Sequence, residues 1–339
     1  MKEFHVTSKD AGQRFSKYLG RLLPNAGSGF VYKMLRKKNI TLNDEKADGS
    51  ETIREGDTVK LFLSDETFAK MSGQAVVSEA VPRFALRSVE ESQIVYEDGN
   101  FLCVYKPAGV LSQKDDSGTE ALNEQILQYL ADRGDITAES IRMFKPGICN
   151  RLDRNTSGIL WFAKTLAGSR GMAEALRGRM FGKFYYALLL GTVTEPVECT
   201  CYLRKDEATN RVTISETPEA SAETVHTGIE PVVSNRRATL ARIRLYTGKS
   251  HQIRSVCQHL GHPVVGDPKY GAEGSGVMSY FHAKYHSRGQ QLFAYSYAFP
   301  EDLPAGLTEL EGETITGIVP ETFSEIVHGE FPDFADSYC

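Results

Sequence analysis

The chain has 339 residues, of which 41% are hydrophobic and 24% are charged, and its formal net charge is −5. This composition provides enough apolar material for a hydrophobic core, and the length predicts two domains or one domain with an appendage. The chain contains no uncharged apolar run long enough to cross a bilayer, and its N-terminus lacks the apolar segment of a secretory signal. We therefore expect a soluble, cytoplasmic protein without a membrane partner.

The first predicted unit, residues 1–63, is basic although the whole chain is acidic. It contains twelve Lys and Arg residues against eight Asp and Glu, which leaves a net charge of −9 on the remainder. Apolar residues at helical spacing predict one helix over 11–23 and a second over 28–38, followed by short strands and turns. A basic unit on an acidic body indicates local phosphate contacts, and a chance asymmetry of solvated charges is the alternative.

The second predicted helix ends in a cluster of cations, which comprises Lys33, Arg36, Lys37 and Lys38. Cations favour the C-terminus of a helix, so capping of the helix dipole is one explanation. Four cations with Tyr32 among them exceed that need, and we favour contacts with RNA phosphates. The helix pair, this basic end and the segments ITLN and REGDTVKL resemble the S4 RNA-binding domain. The resemblance implies a small α/β domain that binds structured RNA.

Residues 64–88 are small, mixed and weakly periodic, and they predict a linker with room for one short helix. Residues 89–339 alternate strand-like and helical segments without a repeating βαβ period, which predicts an α+β domain on a mostly antiparallel mixed sheet. The clearest strand patterns lie at 101–105, 158–165, 185–191, 238–246 and 291–299. Helices are predicted near 119–133, 166–178 and 249–260.

The cysteines are too sparse for a disulfide scaffold. Cys199 and Cys201 form a C-x-C pair, but no second Cys or His pair accompanies them at the spacing of metal ligands. The alternation around them predicts a strand that carries both thiols on one face, rather than a metal site. The six cysteines are Cys103, Cys149, Cys199, Cys201, Cys257 and Cys339.

The segment that most clearly indicates catalytic chemistry is NRLDRNTSG at 150–158, directly before an apolar strand. It places Asp153 between Arg151 and Arg154, and we expect these neighbours to lower the pKa of Asp153 and keep it ionised. An ionised carboxylate at the edge of an apolar sheet can serve as a nucleophile or a base. The alternative is a structural turn in which the two arginines pair with Asp153.

This loop resembles the signature loop of the RluA family of pseudouridine synthases, whose usual form is His-Arg-Leu-Asp-x-x-Thr-Ser-Gly. Further family motifs follow in the expected order, and HQIR favours the RluA type over the related RsuA type. The matching segments are FLCVYKPAGV at 101–110, KFYYA at 183–187, TGKSHQIR at 247–254, LGHP at 260–263 and GDPKYG at 266–271. The resemblance implies the pseudouridine synthase fold and, through the RluC and RluD branch, a ribosomal RNA substrate.

The resemblance also implies roles for individual residues. Asp153 matches the catalytic aspartate needed to break the C1′–N1 bond of uridine, and Arg254 matches the basic residue that pairs with it. Tyr185 matches the tyrosine that packs on the flipped uracil and helps remove the C5 proton. Ile253 supplies an apolar wall of the uracil pocket, and Arg151 fills the gap left in the RNA stack.

This isomerisation needs no cofactor, and the sequence contains no recognisable motif for a metal or a nucleotide cofactor. The segment GSGV at 274–277 lacks phosphate-loop spacing and is interpreted as a loop. Asn150 stands where the family usually has histidine. If that position only orients the loop, little is lost, but if it contacts the substrate, the RNA preference differs.

The leading hypothesis is a pseudouridine synthase whose partner is structured RNA, with ribosomal RNA ahead of tRNA. A non-catalytic RNA-binding assembly factor on the same scaffold is a rival, although it has no need for Asp153, Tyr185 and Arg254 together. A hydrolase that cleaves uracil from nucleosides is a second rival, and it would release free uracil instead of a carbon-linked product.

Overall fold

Alternating apolar residues in the chain build one long sheet, preceded by a small sheet with its own core. A computed structural model describes residues 1–8, 10–73, 83–206, 209, 211–218, 221–271, 276–287 and 289–334. Cys339, residues 74–82 of the predicted linker and the first half of GSGV lie outside the described residues. None of the described helices is long and apolar enough to cross a membrane.

The N-terminal part of the chain forms an antiparallel sheet in the order β1-β4-β2-β3, covered by helices. Its core is apolar and closed, with Phe15, Leu19 and Ile40 fully buried. Its elements are β1 (Lys2–His5), α1 (Phe15–Leu22), α2 (Ser28–Arg36), β2 (Ile40–Leu42), β3 (Glu45–Lys46), β4 (Thr58–Leu61) and α3 (Asp65–Ser72). The limits 1–63, 64–88 and 89–339 for an S4-like domain, a linker and a catalytic domain stay a prediction.

Both predicted N-terminal helices exist, but they are shorter than the sequence pattern suggested. The first begins at Phe15, because Gly12 has a φ of +78° and the backbone N–H of Phe15 bonds to Glu51. The second ends at Arg36, so Lys37 and Lys38 follow the helix instead of lying within it. Helix α3 lies in the segment predicted as a linker, and its Phe68 packs on Phe4.

The rest of the described chain contributes eleven strands to one sheet, in the order β11-β10-β12-β13-β9-β14-β8-β6-β5, with β15 beside β14 and β7 beside β8. Neighbouring described strands run antiparallel, apart from the parallel pair of β14 and β8. The predicted α+β class is therefore confirmed. The strands are β5 (Ile94–Glu97), β6 (Phe101–Lys106), β7 (Gly147–Ile148), β8 (Ser157–Ala163), β9 (Gly182–Leu190), β10 (Val197–Asp206), β11 (Arg211–Ser215), β12 (Glu223–Ser234), β13 (Ala238–Leu245), β14 (Leu292–Ala298) and β15 (Thr314–Thr316).

Helices cover both faces of this sheet and separate its apolar core into clusters. The predicted helices near 119–133, 166–178 and 249–260 are confirmed as α4, α6 and α7. The helices are α4 (Leu122–Asp132), α5 (Ala138–Met143), α6 (Leu166–Gly178), α7 (Gln252–His259), α8 (Gly276–Tyr285) and α9 (Glu321–Glu330), with short 3₁₀ turns at Glu91–Gln93 and Thr308–Leu310. The strand predicted around the C-x-C pair is confirmed as part of β10, where Cys201 is buried and Cys199 is half-buried in the same apolar cluster.

Helix α5 connects the two sheets. Its last residue, Met143, is buried in the N-terminal core beside residues of α1 and α2. Arg170 on α6 adds a hydrogen bond to the carbonyl oxygen of Gly12. The small sheet therefore contacts the rest of the protein through the buried Met143 side chain and through the hydrogen bond from Arg170.

A buried carboxylate holds α9, the last described helix, in place. The Glu330 side chain is fully buried, and it accepts hydrogen bonds from the hydroxyls of Tyr280 and Tyr285, both at 2.7 Å. Arg237 donates to its other oxygen at 2.9 Å, and Lys284 approaches at 3.2 Å. Burial alone raises the pKa of Glu330, but these four donors lower it to about 2, so the group is a charged anchor.

Replacing Glu330 by Gln is expected to destabilise the fold in a pH-dependent way. A folded-state pKa of about 2, against an ordinary 4.5, contributes stability above pH 4.5 that is lost as the pH falls towards 2. The wild type should exceed the variant by roughly 3 kcal/mol at pH 6, and the difference should shrink by pH 3. Urea unfolding at both pH values measures it, with Glu325→Gln on the exposed face of α9 as control. A difference that is independent of pH would contradict this.

Candidate active site

The loop 150–156, called here the Asp153 loop, is held against the sheet by its backbone. The Ser112 hydroxyl donates to the carbonyl oxygen of Leu152 at 2.8 Å and accepts from the Leu152 N–H at 3.0 Å. Directly after the loop, Gly158 has a φ of +116°, and a Cβ at this position would collide with the backbone of Ala294 on β14. The parallel β8–β14 pairing therefore requires glycine here, and it brings the loop close to β14.

A buried lysine binds the backbone of the Asp153 loop. The Lys106 side chain is fully buried at the end of β6, and its ammonium donates to the carbonyl oxygens of Pro107, Val110 and Arg154 at 2.8 to 3.0 Å. Burial lowers the pKa of Lys106 to about 7, and the negative charge of Asp153 opposes that lowering. The three carbonyls match the three donors of an ammonium, so Lys106 ties two loops together at the edge of the site.

Asp153 forms its ion pair with Arg254 and not with the arginines beside it in the sequence. Arg254 Nη1 lies 2.9 Å from Asp153 Oδ2. Arg154 instead donates from Nε to the carbonyl oxygen of Gly109, and the Arg151 side chain is exposed. The alternative of a structural turn closed by the neighbouring arginines is thus wrong, because consecutive residues of this turn point in different directions.

Arg254 is itself held by a second carboxylate. Its Nε and Nη2 donate to the two oxygens of Asp267 at 2.6 and 2.9 Å. Burial by itself lowers the pKa of Arg254 and raises that of Asp267, but the pair reverses both shifts. The Asp267 side chain is fully buried and that of Asp153 is 25% exposed. Asp267 is therefore the fixed partner of Arg254, and Asp153 is the end that a substrate can reach.

His251 faces the same carboxylate. It has a φ of 55°, just before α7, and its Nε2 lies 3.8 Å from Asp153 Oδ2. The Tyr270 hydroxyl accepts from the N–H of Val212 at 2.8 Å and is also hydrogen-bonded to His251 Nδ1 at 2.9 Å. Burial lowers the pKa of His251 against the opposing charge of Asp153, which favours the neutral imidazole.

Both contacts of the Asp153 carboxylate converge on Oδ2. Within the described ranges, Oδ1 has no hydrogen-bond partner, and the side chain is partly open to solvent. The group is therefore an oriented carboxylate whose second oxygen is available to a substrate.

An apolar wall lies beside this carboxylate. Tyr185 on β9 and Ile253 on α7 are 7% and 5% exposed and belong to the same buried cluster as Leu152. Burial, followed by the charge of Asp153, raises the pKa of Tyr185, so the phenol is neutral at physiological pH. The structure thus brings together Asp153, Arg254, Tyr185 and Ile253, as the motif resemblance implied.

Asn150 is engaged within the protein. Its Oδ1 accepts from the backbone N–H of Trp161 at 2.8 Å, and its Nδ2 donates to the Tyr297 hydroxyl at 3.0 Å. Arg151 follows on the rim of a cavity of about 440 Å³, which Lys145 and Glu124 also line. The Asn150 side chain is therefore held by the sheet, while the Arg151 side chain is exposed.

The basic cluster of the N-terminal unit faces solvent. Lys33 and Arg36 on α2 are exposed, as are Lys37 and Lys38 directly after it. Tyr32 beside them is 51% exposed. This cluster has the solvent access that phosphate contacts need.

Several residues of the site had no role assigned from the sequence. Asp267 and Tyr270 occur in the GDPKYG motif and His251 in HQIR, but a motif match does not reveal which atoms meet. Tyr297 carried no signal, since it is one of several aromatics in a strand. In the described part of the chain, no three or more His, Cys, Asp or Glu residues are grouped to hold a metal ion.

Comparisons with known proteins agree with this arrangement. Residues 100–259 match the family described as RNA pseudouridylate synthase. Ribosomal large subunit pseudouridine synthase C of Rickettsia felis is 30% identical over 265 residues, covering 76% of this chain and 81% of that protein. Ribosomal large subunit pseudouridine synthase D of Yersinia pestis is 27% identical over 274 residues, covering 78% of this chain and 75% of that protein.

A solved structure shares the fold. Human RNA pseudouridylate synthase domain containing 4 superposes with a TM-score of 0.53 at 18% identity, covering 70% of this chain and 92% of that one. At this identity the likeness concerns the fold alone. The expected relation to pseudouridine synthases is confirmed by these sequence matches together.

Proposed function

The chain belongs to the RNA pseudouridylate synthase family, and from this premise we propose that it isomerises uridine in ribosomal RNA of the large subunit, with Asp153 as the reacting residue. The observation that supports the assignment best is the Asp153 carboxylate, which Arg254 holds by one oxygen beside an apolar wall. The relatives named as large-subunit enzymes support the choice of RNA, and this substrate implies a cytoplasmic location.

The reaction exchanges one glycosidic bond for another. The C1′–N1 bond of uridine breaks, the C1′–C5 bond forms, and one proton moves from C5 to N1. Nothing is oxidised or hydrolysed, so the exchange requires no electron carrier and consumes no water. Asp153, with its free Oδ1, assists departure of uracil from the ribose, and Arg254 keeps the carboxylate directed at the sugar.

The detached uracil must turn without leaving the site. Ile253 and Tyr185 form the apolar side of the hollow in which it rotates to present C5. A stacked uridine hides C1′, so the nucleotide must first be extruded from the RNA. Arg151, exposed at the rim, is the side chain that would fill the space left in the stack, and Asn150 fixes the loop that carries it.

The test is conversion of uridine by the purified chain, with no cofactor added. Large-subunit ribosomal RNA and tRNA would be incubated separately and pseudouridines mapped at single-nucleotide resolution. We expect conversion at defined positions of the ribosomal RNA, and the same positions should remain uridine in cells that lack the gene. Conversion of tRNA alone would reassign the substrate. Release of free uracil would indicate a hydrolase, and binding without conversion would indicate an assembly factor.

We also propose that the basic cluster binds RNA phosphates. Replacing Lys33, Arg36, Lys37 and Lys38 by Gln should weaken RNA binding about 10-fold or more, because up to four phosphate contacts are lost. The slope of log affinity against log salt should fall by about 1 for each lost contact. Fluorescence anisotropy from 50 to 200 mM salt measures both.

The controls separate binding from chemistry. The same variant should retain the wild-type rate of a single turnover at saturating RNA, because the cluster lies outside the Asp153 site. If the quadruple variant has the same affinity and the same salt dependence as the wild type, the cluster does not bind RNA. These cations would then serve only to stabilise the C-terminus of α2.

A further inference from the structure

His251 presents a nitrogen to the Asp153 carboxylate without bonding to it. Its Nε2 lies 3.8 Å from Asp153 Oδ2, which is too far for a direct hydrogen bond, and among the residues that the structure describes it has no other hydrogen-bond partner. The two side chains are 12% and 25% exposed, so a ligand can reach both. One oxygen about 2.8 Å from each atom would fill the interval and bond to both.

The imidazole is held in this orientation by buried partners. The Tyr270 hydroxyl is hydrogen-bonded to Nδ1 at 2.9 Å, and the Tyr270 ring packs edge-on against the imidazole, with ring centroids 5.5 Å apart. Tyr270 is 1% exposed, and its hydroxyl also accepts from the backbone N–H of Val212 at 2.8 Å. Nε2 is therefore in place before any ligand binds, which lowers the entropic cost of a contact there.

The two atoms offer different halves of a hydrogen-bond bridge. An ionised carboxylate can only accept, so Oδ2 needs a donor. The charge of Asp153 favours a hydrogen on the near nitrogen of His251, because a lone pair there would be repelled, and Nε2 can then donate. A bridging group must therefore accept from Nε2 and donate to Oδ2. A hydroxyl does both, whereas a carbonyl, an ether oxygen or an ionised phosphate oxygen can only accept.

The ribose of the target uridine carries such a hydroxyl next to the reacting carbon. A carboxylate that assists departure of N1 approaches C1′ from the opposite face of the ribose. In a ribonucleoside the 2′-hydroxyl projects from that same face, on the carbon bonded to C1′. When Oδ1 of Asp153 faces C1′, the 2′-hydroxyl is thus the nearest hydroxyl to Oδ2 and to His251.

From this geometry we infer that the 2′-hydroxyl of the target uridine bridges His251 Nε2 and Asp153 Oδ2, and that His251 thereby selects ribose over 2′-deoxyribose. The inference rests on the proposed function. Oδ2 keeps its bond from Arg254 at 2.9 Å and has a second lone pair for the hydroxyl. The 2′-hydroxyl is the group by which a protein distinguishes RNA from DNA at a given position. His251 is then a specificity-determining residue, and Tyr270 positions it.

Two substitutions of His251 test the contact made by Nε2. His251→Asn tolerates the φ of 55° and keeps a polar atom near the position of Nδ1, but it has no atom at the position of Nε2. His251→Gln reaches that position with an amide nitrogen, so it should retain part of the selection. As a matched control, His259→Asn changes a second histidine of α7, whose Nε2 lies 3.5 Å from a carboxylate oxygen of Glu216.

Each variant would convert two RNAs that differ by one oxygen, with uridine or 2′-deoxyuridine at the target position. The ratio of their single-turnover rates below saturation measures the selection, and the intrinsic reactivity of the two nucleosides cancels when ratios are compared between variants. We expect His251→Asn to lower the ratio by about 10- to 100-fold, the effect of losing a hydrogen-bond bridge to a charged group. The loss should fall on the uridine substrate, and His259→Asn should keep the wild-type ratio.

Each outcome decides between the inference and its alternatives. If the wild type converts uridine but His251→Asn keeps its ratio, the inference is wrong and the proposed function stands. An equal loss on both RNAs would give His251 a structural role only and would equally contradict the inference. Should His251→Asn unfold, as its urea midpoint would show, a lowered ratio in His251→Gln supports the contact and a wild-type ratio contradicts it. If the wild type forms no pseudouridine in either RNA, the proposed function itself fails.

Discussion

Replacing Asp153 by Asn should abolish pseudouridine formation, with a loss of roughly four orders of magnitude or more in the single-turnover rate. The amide is neutral and a poor nucleophile, and it cannot form the ion pair that Asp153 Oδ2 makes with Arg254 Nη1 at 2.9 Å. The substitution is nearly isosteric, so the Asp153 loop should keep its shape. The measurement is conversion of a radiolabelled RNA under enzyme excess.

Two controls identify the cause of this loss. The variant should bind RNA almost as well as the wild type, because its phosphate contacts are untouched, and its urea unfolding midpoint should lie close to the wild-type value. Asp116→Asn, at an exposed position in the turn that follows Ser112, should remain fully active. An Asp153→Asn variant that still converts uridine would remove the basis for the proposed role of this carboxylate.

Replacing Arg254 by Met should reduce both activity and stability. Arg254 links the buried Asp267 to Asp153, and its removal leaves the Asp267 carboxylate uncompensated in the core. Breaking a buried pair in this way costs about 3–5 kcal/mol. The single-turnover rate should fall about 100-fold or more, because Asp153 loses the group that directs Oδ1 towards the ribose. Urea unfolding and labelled-RNA conversion measure the two effects separately.

A double variant separates the two effects. Adding Asp267→Leu to Arg254→Met removes the whole buried pair and should recover much of the lost stability, but it should not recover activity. Arg254→Lys keeps a positive charge but cannot contact both carboxylates, so we expect an intermediate rate. Recovery of activity in the double variant would show that Arg254 serves the fold and not the chemistry.

The elements were predictable wherever the pattern was regular. Strand β8 is a continuous apolar run that is buried on both faces, and α6 begins after the capping Thr165 and ends at Gly178, as the sequence indicated. The strands β11 and β12 carried weaker patterns, since β12 is half-exposed along much of its length and is interrupted by an irregularity between Pro231 and Val233. The burial of β12 does not alternate regularly, so its sequence lacks the period of two on which strand prediction depends.

The candidate site residues came from motif resemblance, and most of their contacts could not be predicted. The resemblance paired Asp153 with Arg254, and these side chains do form an ion pair, but physical reasoning from neighbours alone paired Asp153 with Arg151 and Arg154. The sheet instead brings α7 to the loop, and the partner of Arg254 is Asp267 in a turn that follows α7. Such contacts depend on the register of distant strands, which local sequence does not encode.

The place of Asn150 illustrates the same point. Its departure from the usual histidine left open whether the position orients the loop or meets the substrate. In the structure Asn150 bonds to the backbone N–H of Trp161 and to the Tyr297 hydroxyl, which favours an orienting role. These two partners lie on separate strands that no local pattern would bring together.

The burial of Met143 among residues of α1 and α2 limits how far this protein is modular. A fragment that ends at residue 73 would expose the hole that this side chain fills, and losing a buried methionine costs about 2–5 kcal/mol. Fusing the N-terminal unit to another enzyme would therefore require including α5 as well. The same contact fixes the position of the N-terminal sheet relative to the large sheet, so the two parts of the chain cannot reorient without exposing Met143.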